Sequence, residues 1–167
     1  IVLTPAAYVP EGSVTGQSLG TTAFREPQDL CVAPDGLIYV ADTQNNRIVV
    51  VSKDMKSTVR IIEEFERNGS TDRFNQPYGV CVSENEELYV ADSANKRIVV
   101  LTPEGDFVRT IEKPQSEVLE ENFDFVPIKV TVDYADRAYV ISKNAFEGIL
   151  VFESDGSFTG YFGTIDV

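Results

Sequence analysis

The chain has 167 residues, 43% of them hydrophobic and 25% charged, the composition of one folded domain with a real core. Twenty-seven Asp and Glu against fourteen Lys and Arg leave a formal net charge of −13, a field that repels phosphate backbones and anionic lipid surfaces and so argues against nucleic acid and membrane as partners. There is no histidine, which excludes an imidazole base, a His-bound zinc and a Ser-His-Asp triad within the chain.

In chain order, residues Ile1 to Tyr8 show no basic stretch followed by an apolar one, and no run approaches the roughly eighteen apolar residues of a membrane span. Neither signal peptide nor anchor is therefore expected in this chain, although a longer precursor could have lost either. Ile1-Val2-Leu3-Thr4-Pro5 nearly repeats Val99-Val100-Leu101-Thr102-Pro103, which makes Ile1 to Val9 a candidate for the outer strands of a further repeat unit. The repeat itself starts at Phe24. Phe24 to Val51 aligns without a gap on Phe74 to Leu101, with 13 of 28 positions identical. A third copy keeps Pro127, Val130, Val132, Tyr139 and Val140 in register, then takes one extra residue before Ile149, Gly156 and Phe158.

Each unit reads as four short strands. In the first they are Asp29 to Ala33, Leu37 to Ala41, Ile48 to Val51 and Thr58 to Ile62, separated by the turns Pro34-Asp35-Gly36 and Thr43 to Asn46. The first three are nearly continuous in apolar residues, as in strands covered on both faces, whereas the fourth admits Arg60. That gradient, repeated every forty to fifty residues, predicts antiparallel β-propeller blades over 24–73, 74–123 and 124–167, preceded by the segment 1–23, all in one domain. Cys31 and Cys81 fall at matching positions of two units, which predicts equivalent buried free thiols rather than a bonded pair.

Pro-x-x-(Val/Leu)-x-Val, a turn, then Tyr-Val-Ala-Asp-x-x-Asn-x-Arg-Ile resembles the NHL repeat. The resemblance covers Phe24 to about Gly163 and is specific in the first two units. It implies an all-β fold of NHL type with three four-stranded blades, in a family that as a rule builds six-bladed rings. Three blades cannot close a ring, since propellers have at least four, so the expectation is a partial propeller or half of a two-chain ring, with bare blade faces open to self-association.

Asp42 and Asp92 end one strand and Arg47 and Arg97 begin the next, so a tight turn brings carboxylate and guanidinium together, with Asn45 and Asn95 suited to a left-handed turn. These six residues are read as a structural clasp. The third unit departs from it, with Ser142 at the Asp position and Glu147 or Gly148 where Arg is expected. The acidic turns Glu84-Asn85-Glu86-Glu87 and Asp133-Tyr134-Ala135-Asp136 lack the alternating spacing of a calcium loop, so no metal, cofactor or catalytic residue is assigned.

Loops carry most function on such scaffolds. The connector from Lys113 to Val126 sets Glu117, Glu120, Phe123 and Phe125 among acidic residues, and the divergent turn holds Lys143, Asn144 and Phe146. These seven are the candidate partner-binding residues, with the alternative that the two Phe tuck back over a blade edge. The expected function is a non-catalytic binding or scaffolding propeller that presents loops to a protein or carbohydrate. The alternative is part of a propeller enzyme, a lyase or lactonase-like hydrolase with a metal site on the channel face. Chains of this look, Tyr-rich and acidic, resemble exported bacterial proteins, which implies an extracytoplasmic location.

Overall fold

A computed structural model describes residues 10–117, 119, 122–143, 145 and 148–163. Its strands are β1 (Pro27–Val32), β2 (Ile38–Asp42), β3 (Arg47–Val51), β4 (Thr58–Ile62), β5 (Glu64–Arg67), β6 (Ser70–Arg73), β7 (Pro77–Val82), β8 (Leu88–Asp92), β9 (Arg97–Leu101), β10 (Phe107–Ile111), β11 (Pro127–Val132), β12 (Ala138–Ser142), β13 (Ile149–Phe152) and β14 (Phe158–Phe162). They form three four-stranded antiparallel meanders, β1 to β4, β7 to β10 and β11 to β14, hereafter blades 1, 2 and 3. The β5–β6 hairpin lies inside the connector between blades 1 and 2; its sequence signal is the two-residue turn Asn68-Gly69, at φ 53° and 78°, which the reading of the connector as a loop missed. Ile1 to Val9, the candidate further strands, fall outside the described residues.

The blades are alike in detail. Each innermost strand opens with a proline, and the pairing slips by one residue just after it, at Pro27/Asp29, Pro77/Gly79 and Pro127/Lys129. A proline has no amide to give the ladder and is tolerated at a strand start beside such a bulge.

Successive blades stack face on face. Tyr39, Ala41, Ile48 and Val50 of blade 1 pack against Val80, Leu88, Val90, Val99 and Leu101 of blade 2. The same set one repeat on, Tyr89, Ala91, Ile98 and Val100, packs against Val130, Ala138, Val140, Leu150 and Phe152 of blade 3. Each Val, Leu, Ile or Phe among them, fully buried, contributes about 1.5–3 kcal/mol relative to exposure, so these two interfaces hold the arc together.

The expectation that the inner strands are covered on both faces holds for β8 and β9, buried along their whole length. It fails for β1, where Leu30 is 59% and Val32 64% exposed. No described blade precedes blade 1, and among the described residues that face is shielded by the 14–24 segment, through Leu19 and Phe24 on Val49 and Val51. The outer strands β4 and β10 mix half-buried and exposed residues and each ends in a buried isoleucine, Ile62 or Ile111.

At Gly79 the backbones of blades 2 and 3 approach closely. A Cβ there would lie 2.9 Å from the Ile128 carbonyl oxygen and 2.9 Å from Lys129 Cα, both backbone atoms. Gly79→Ala should therefore force β7 and β11 apart and cost about 2 kcal/mol, read from chemical denaturation. An unchanged midpoint would show that the strands separate freely.

Candidate functional site

The repeated Asp, Asn and Arg do more than close their own turn. In blade 1 Asp42 Oδ2 accepts from Arg47 Nε at 2.7 Å and Asn45 Nδ2 at 2.8 Å, while its Oδ1 accepts from the Arg25 amide at 2.7 Å. Arg47 also donates to the Thr22 carbonyl at 3.1 Å, and Asn45 to the Ala23 carbonyl at 2.9 Å. The clasp thus fastens the incoming connector to the β2–β3 turn. Blade 2 repeats the arrangement with Asp92, Asn95 and Arg97 on the Asn75 amide and the Arg73 carbonyl. Arg97 there gains a bidentate pair with Asp72, at 2.6 and 2.9 Å, which holds that carboxyl below its usual range.

One expectation is corrected. The left-handed residue of each turn is not the repeated Asn but the next one, Asn46 at φ 54° and Lys96 at φ 56°. Asn45 and Asn95 sit in 3-10 turns, 43–45 and 93–95, and use their side chains as donors instead. Blade 3 keeps a reduced form: Ser142 Oγ accepts from the Val126 amide at 2.8 Å, and the Lys143 amide bonds back to the Val126 carbonyl at 2.8 Å. Thr43 ties blade 1 to blade 2 through the Pro77 carbonyl at 2.7 Å, and Ser93 bonds the Pro127 carbonyl of blade 3 in the same way.

Of the seven candidate partner residues, Glu117 and Lys143 are exposed. Glu120, Asn144 and Phe146 fall outside the described residues. Phe123 and Phe125 are corrected: both are buried, 7% and 1% exposed, in the core between blades 2 and 3, where Phe125 packs on Phe123 and Phe152. Phe125 precedes the amide held by Ser142, as Phe74 precedes the one held by Asp92 and Phe24 the one held by Asp42. The signal was present as Phe-x-x-Pro at 24 and 74. Phe125-Val126-Pro127 is one residue shorter, which hid the match.

On the opposite edge of the blades each repeat tyrosine points toward the turns. Tyr89 OH donates to Glu87 at 3.1 Å and accepts from Arg109 at 2.6 Å, while Arg109 grips both Glu87 oxygens at 2.9 and 2.8 Å. Tyr139 OH bonds Asp133 at 3.2 Å. Sequence reading missed these groups, because Glu87 and Arg109 meet only when β8 and β10 flank β9. The Arg109 guanidinium holds the Glu87 carboxyl below its usual range. A carboxyl lowered on folding stabilises above its unfolded pKa, near 4.3, and that contribution is lost as pH falls through the lower folded value. Melting temperature should accordingly fall below about pH 4, and less steeply in Glu87→Gln. Identical acid limbs would remove Glu87 from the account.

On the inner rim, Lys129 of blade 3 reaches past Gly79 to Asp29 of blade 1, at 2.7 and 2.6 Å, and Asp29 also accepts from the Val80 amide at 2.9 Å. Cys31 and Cys81 are free and half-buried. Burial pushes the Cys31 thiol up to about 12 and raises Cys81, so both are poor nucleophiles. Among the described residues no group of three or more Cys, Asp and Glu converges as a metal site.

The NHL repeat family model matches residues 24–51 and 74–101. A search by sequence among curated proteins finds no match. Among solved structures, the chain is similar in fold to the hydrazine synthase of Kuenenia stuttgartiensis (13% identity, TM-score 0.62, 95% of this chain and 40% of that one). It is also similar to virginiamycin B lyase from Staphylococcus aureus (17%, 0.55, 83% and 42%) and to a streptogramin B lyase (18%, 0.54, 81% and 40%). The chain spans about two fifths of the length of each. Identities this low speak for the fold alone, and with the two repeat matches they identify the chain as an arc of three β-propeller blades, of which the first two carry NHL repeats.

Proposed function

We propose that the chain is a non-catalytic binding module that presents connector and turn residues to a protein or carbohydrate partner outside the cytoplasm. The observation that carries this reading is where the repeated polar groups go. Asp42, Asn45, Arg47, Asp92, Asn95 and Arg97 all spend their side-chain bonds inside the fold, on connectors and turns. What distinguishes one blade from another is then the exposed, non-repeating residues, including Glu117 and Lys143, where scaffold proteins carry specificity.

The test is a screen of the immobilised chain against glycan and peptide arrays, followed by variants. Saturable binding weakened by Glu117→Ala or Lys143→Ala, with melting temperature unchanged, supports the module. Turnover of a lactone or a lyase substrate by the chain, or binding indifferent to every loop substitution, overturns it. Fractionation of cells that express the protein, with the culture medium as one fraction, tests the location.

A further inference from the structure

We propose that the notch between blades 1 and 2, on the edge opposite the clasps, binds an alkylguanidinium group, the side chain of an arginine carried by a partner protein. The notch is a cavity of about 140 Å³, well below the roughly 300 Å³ at which pockets for drug-sized ligands begin. Its apolar walls are Ala33, Val82 and Pro103, and its rim carries the carboxylates of Asp35, Glu86 and Glu104.

The deciding group is Tyr39, which lines the notch and is only 1% exposed. The equivalent hydroxyls are engaged, Tyr89 by Glu87 and Arg109 and Tyr139 by Asp133. Tyr39 OH takes no hydrogen bond from any described residue. One substitution and one redirected side chain account for this. Leu37 stands where blade 2 has Glu87, and Arg60, the counterpart of Arg109, turns to the Pro103 carbonyl and stands 3.9 Å from Glu104. Blade 1 therefore keeps the tyrosine of the blade 2 arrangement without the guanidinium that sits against it.

Blade 2 shows what such a notch accepts: Arg109 lies 5.5 Å from the Tyr89 ring centroid with one nitrogen on the hydroxyl and two on a carboxylate. A guanidinium has five donors in one plane and an apolar stem, which suits spread carboxylates above apolar walls. A hard cation needs six to eight oxygens on one point, and the described carboxylates do not converge in that way. Asp35 has one oxygen committed to the Leu37 amide, and Arg60 is a cation beside the site, so the three acids leave an excess of negative charge. The choice of a protein as the source of the arginine rests on the binding-module reading; the notch chemistry does not.

The experiment titrates the chain with N-acetyl-arginine-methylamide and with agmatine at low ionic strength, by calorimetry and by NMR of labelled tyrosine rings. The Tyr39 ring should shift saturably, with the other six tyrosines as controls. Tyr39→Phe and Glu104→Gln should each weaken binding roughly tenfold, the loss of one charge-assisted hydrogen bond. Leu37→Glu, which supplies the carboxylate that holds Arg109 on Tyr89 in blade 2, should draw the chain's own Arg60 onto Tyr39 and so shut out the added guanidinium in a folded chain. Tighter binding of the arginine amide than of agmatine supports a protein source, and equal binding supports the group alone. No shift at Tyr39, full affinity in Glu104→Gln, or the same shift produced by calcium chloride would overturn the proposal. A working notch with no protein partner would fail the module reading and leave the site intact.

Discussion

Phe125→Ala should lower the unfolding free energy by about 4 kcal/mol, within the range for truncating a fully buried aromatic. The ring is 1% exposed and packs on Phe123 and Phe152, in a cluster that also contains Tyr89, Ile98, Ile111 and Leu150. Its removal leaves a cavity at the seam of blades 2 and 3, walled by β-sheets whose ladders resist collapse onto it. Phe123→Ala should cost less, since that ring lies nearer the surface and is backed by Lys113, 5.9 Å from its centroid. Glu117→Ala, at an exposed position of the same connector, should be neutral within about 0.5 kcal/mol. The measurement is a urea titration of the three variants at constant m-value. A loss below 1 kcal/mol for Phe125→Ala, or partner binding lost before stability, would return this ring to the surface.

That contrast also shows what the sequence could and could not reveal. Strand positions followed from composition: β4 is found where expected, at Thr58–Ile62, and the other strands of blade 1 fall within two residues of their predicted ends. They were legible because apolar runs between turn residues report burial directly. The clasp partners were legible only in part. Asp42 and Arg47 are five residues apart and face each other across one turn, so their pairing could be read locally. The amides and carbonyls they hold, at Arg25 and Thr22, lie about twenty residues upstream, and backbone groups carry no residue-type signal.

The same limit explains the connectors. A Phe beside acids looks identical in sequence whether it faces a partner or plugs a seam; the deciding fact, that Phe125 occupies the place of Phe74, was masked by a one-residue deletion. The exposed flank of β1 is a different case. Leu30 and Val32 have the residue types of a buried strand, and their counterparts in blade 2, Val80 and Val82, are covered by blade 1. Residue type reports the neighbour a strand is built to meet, and Leu30 and Val32 are exposed because no described blade lies there.

Asp92→Ala should cost about 3 kcal/mol, through two losses that can be separated. The carboxylate is fully buried and takes three bonds, from the Asn75 amide, Asn95 and Arg97. Burial pushes its pKa up against the pull of those donors, so the pair offsets its own desolvation rather than adding a large net gain. Deleting one partner of such a pair is still expensive, because the other is left buried without compensation. Here Arg97 keeps Asp72, which places the expected loss at the lower end of the usual 3–5 kcal/mol. The orphaned Asn75 amide is the second loss. Blade 3 supplies its remedy, since Ser142 holds the corresponding amide with a hydroxyl alone. Asp92→Ser should accordingly recover about 1 kcal/mol relative to Asp92→Ala, and Asp92→Ala combined with Arg97→Leu should cost less than the sum of the two single changes. Denaturation of the four variants gives the coupling directly. Additive losses, or a serine no better than alanine, would mean that Asp92 acts through its turn alone and that the connector is held by other contacts.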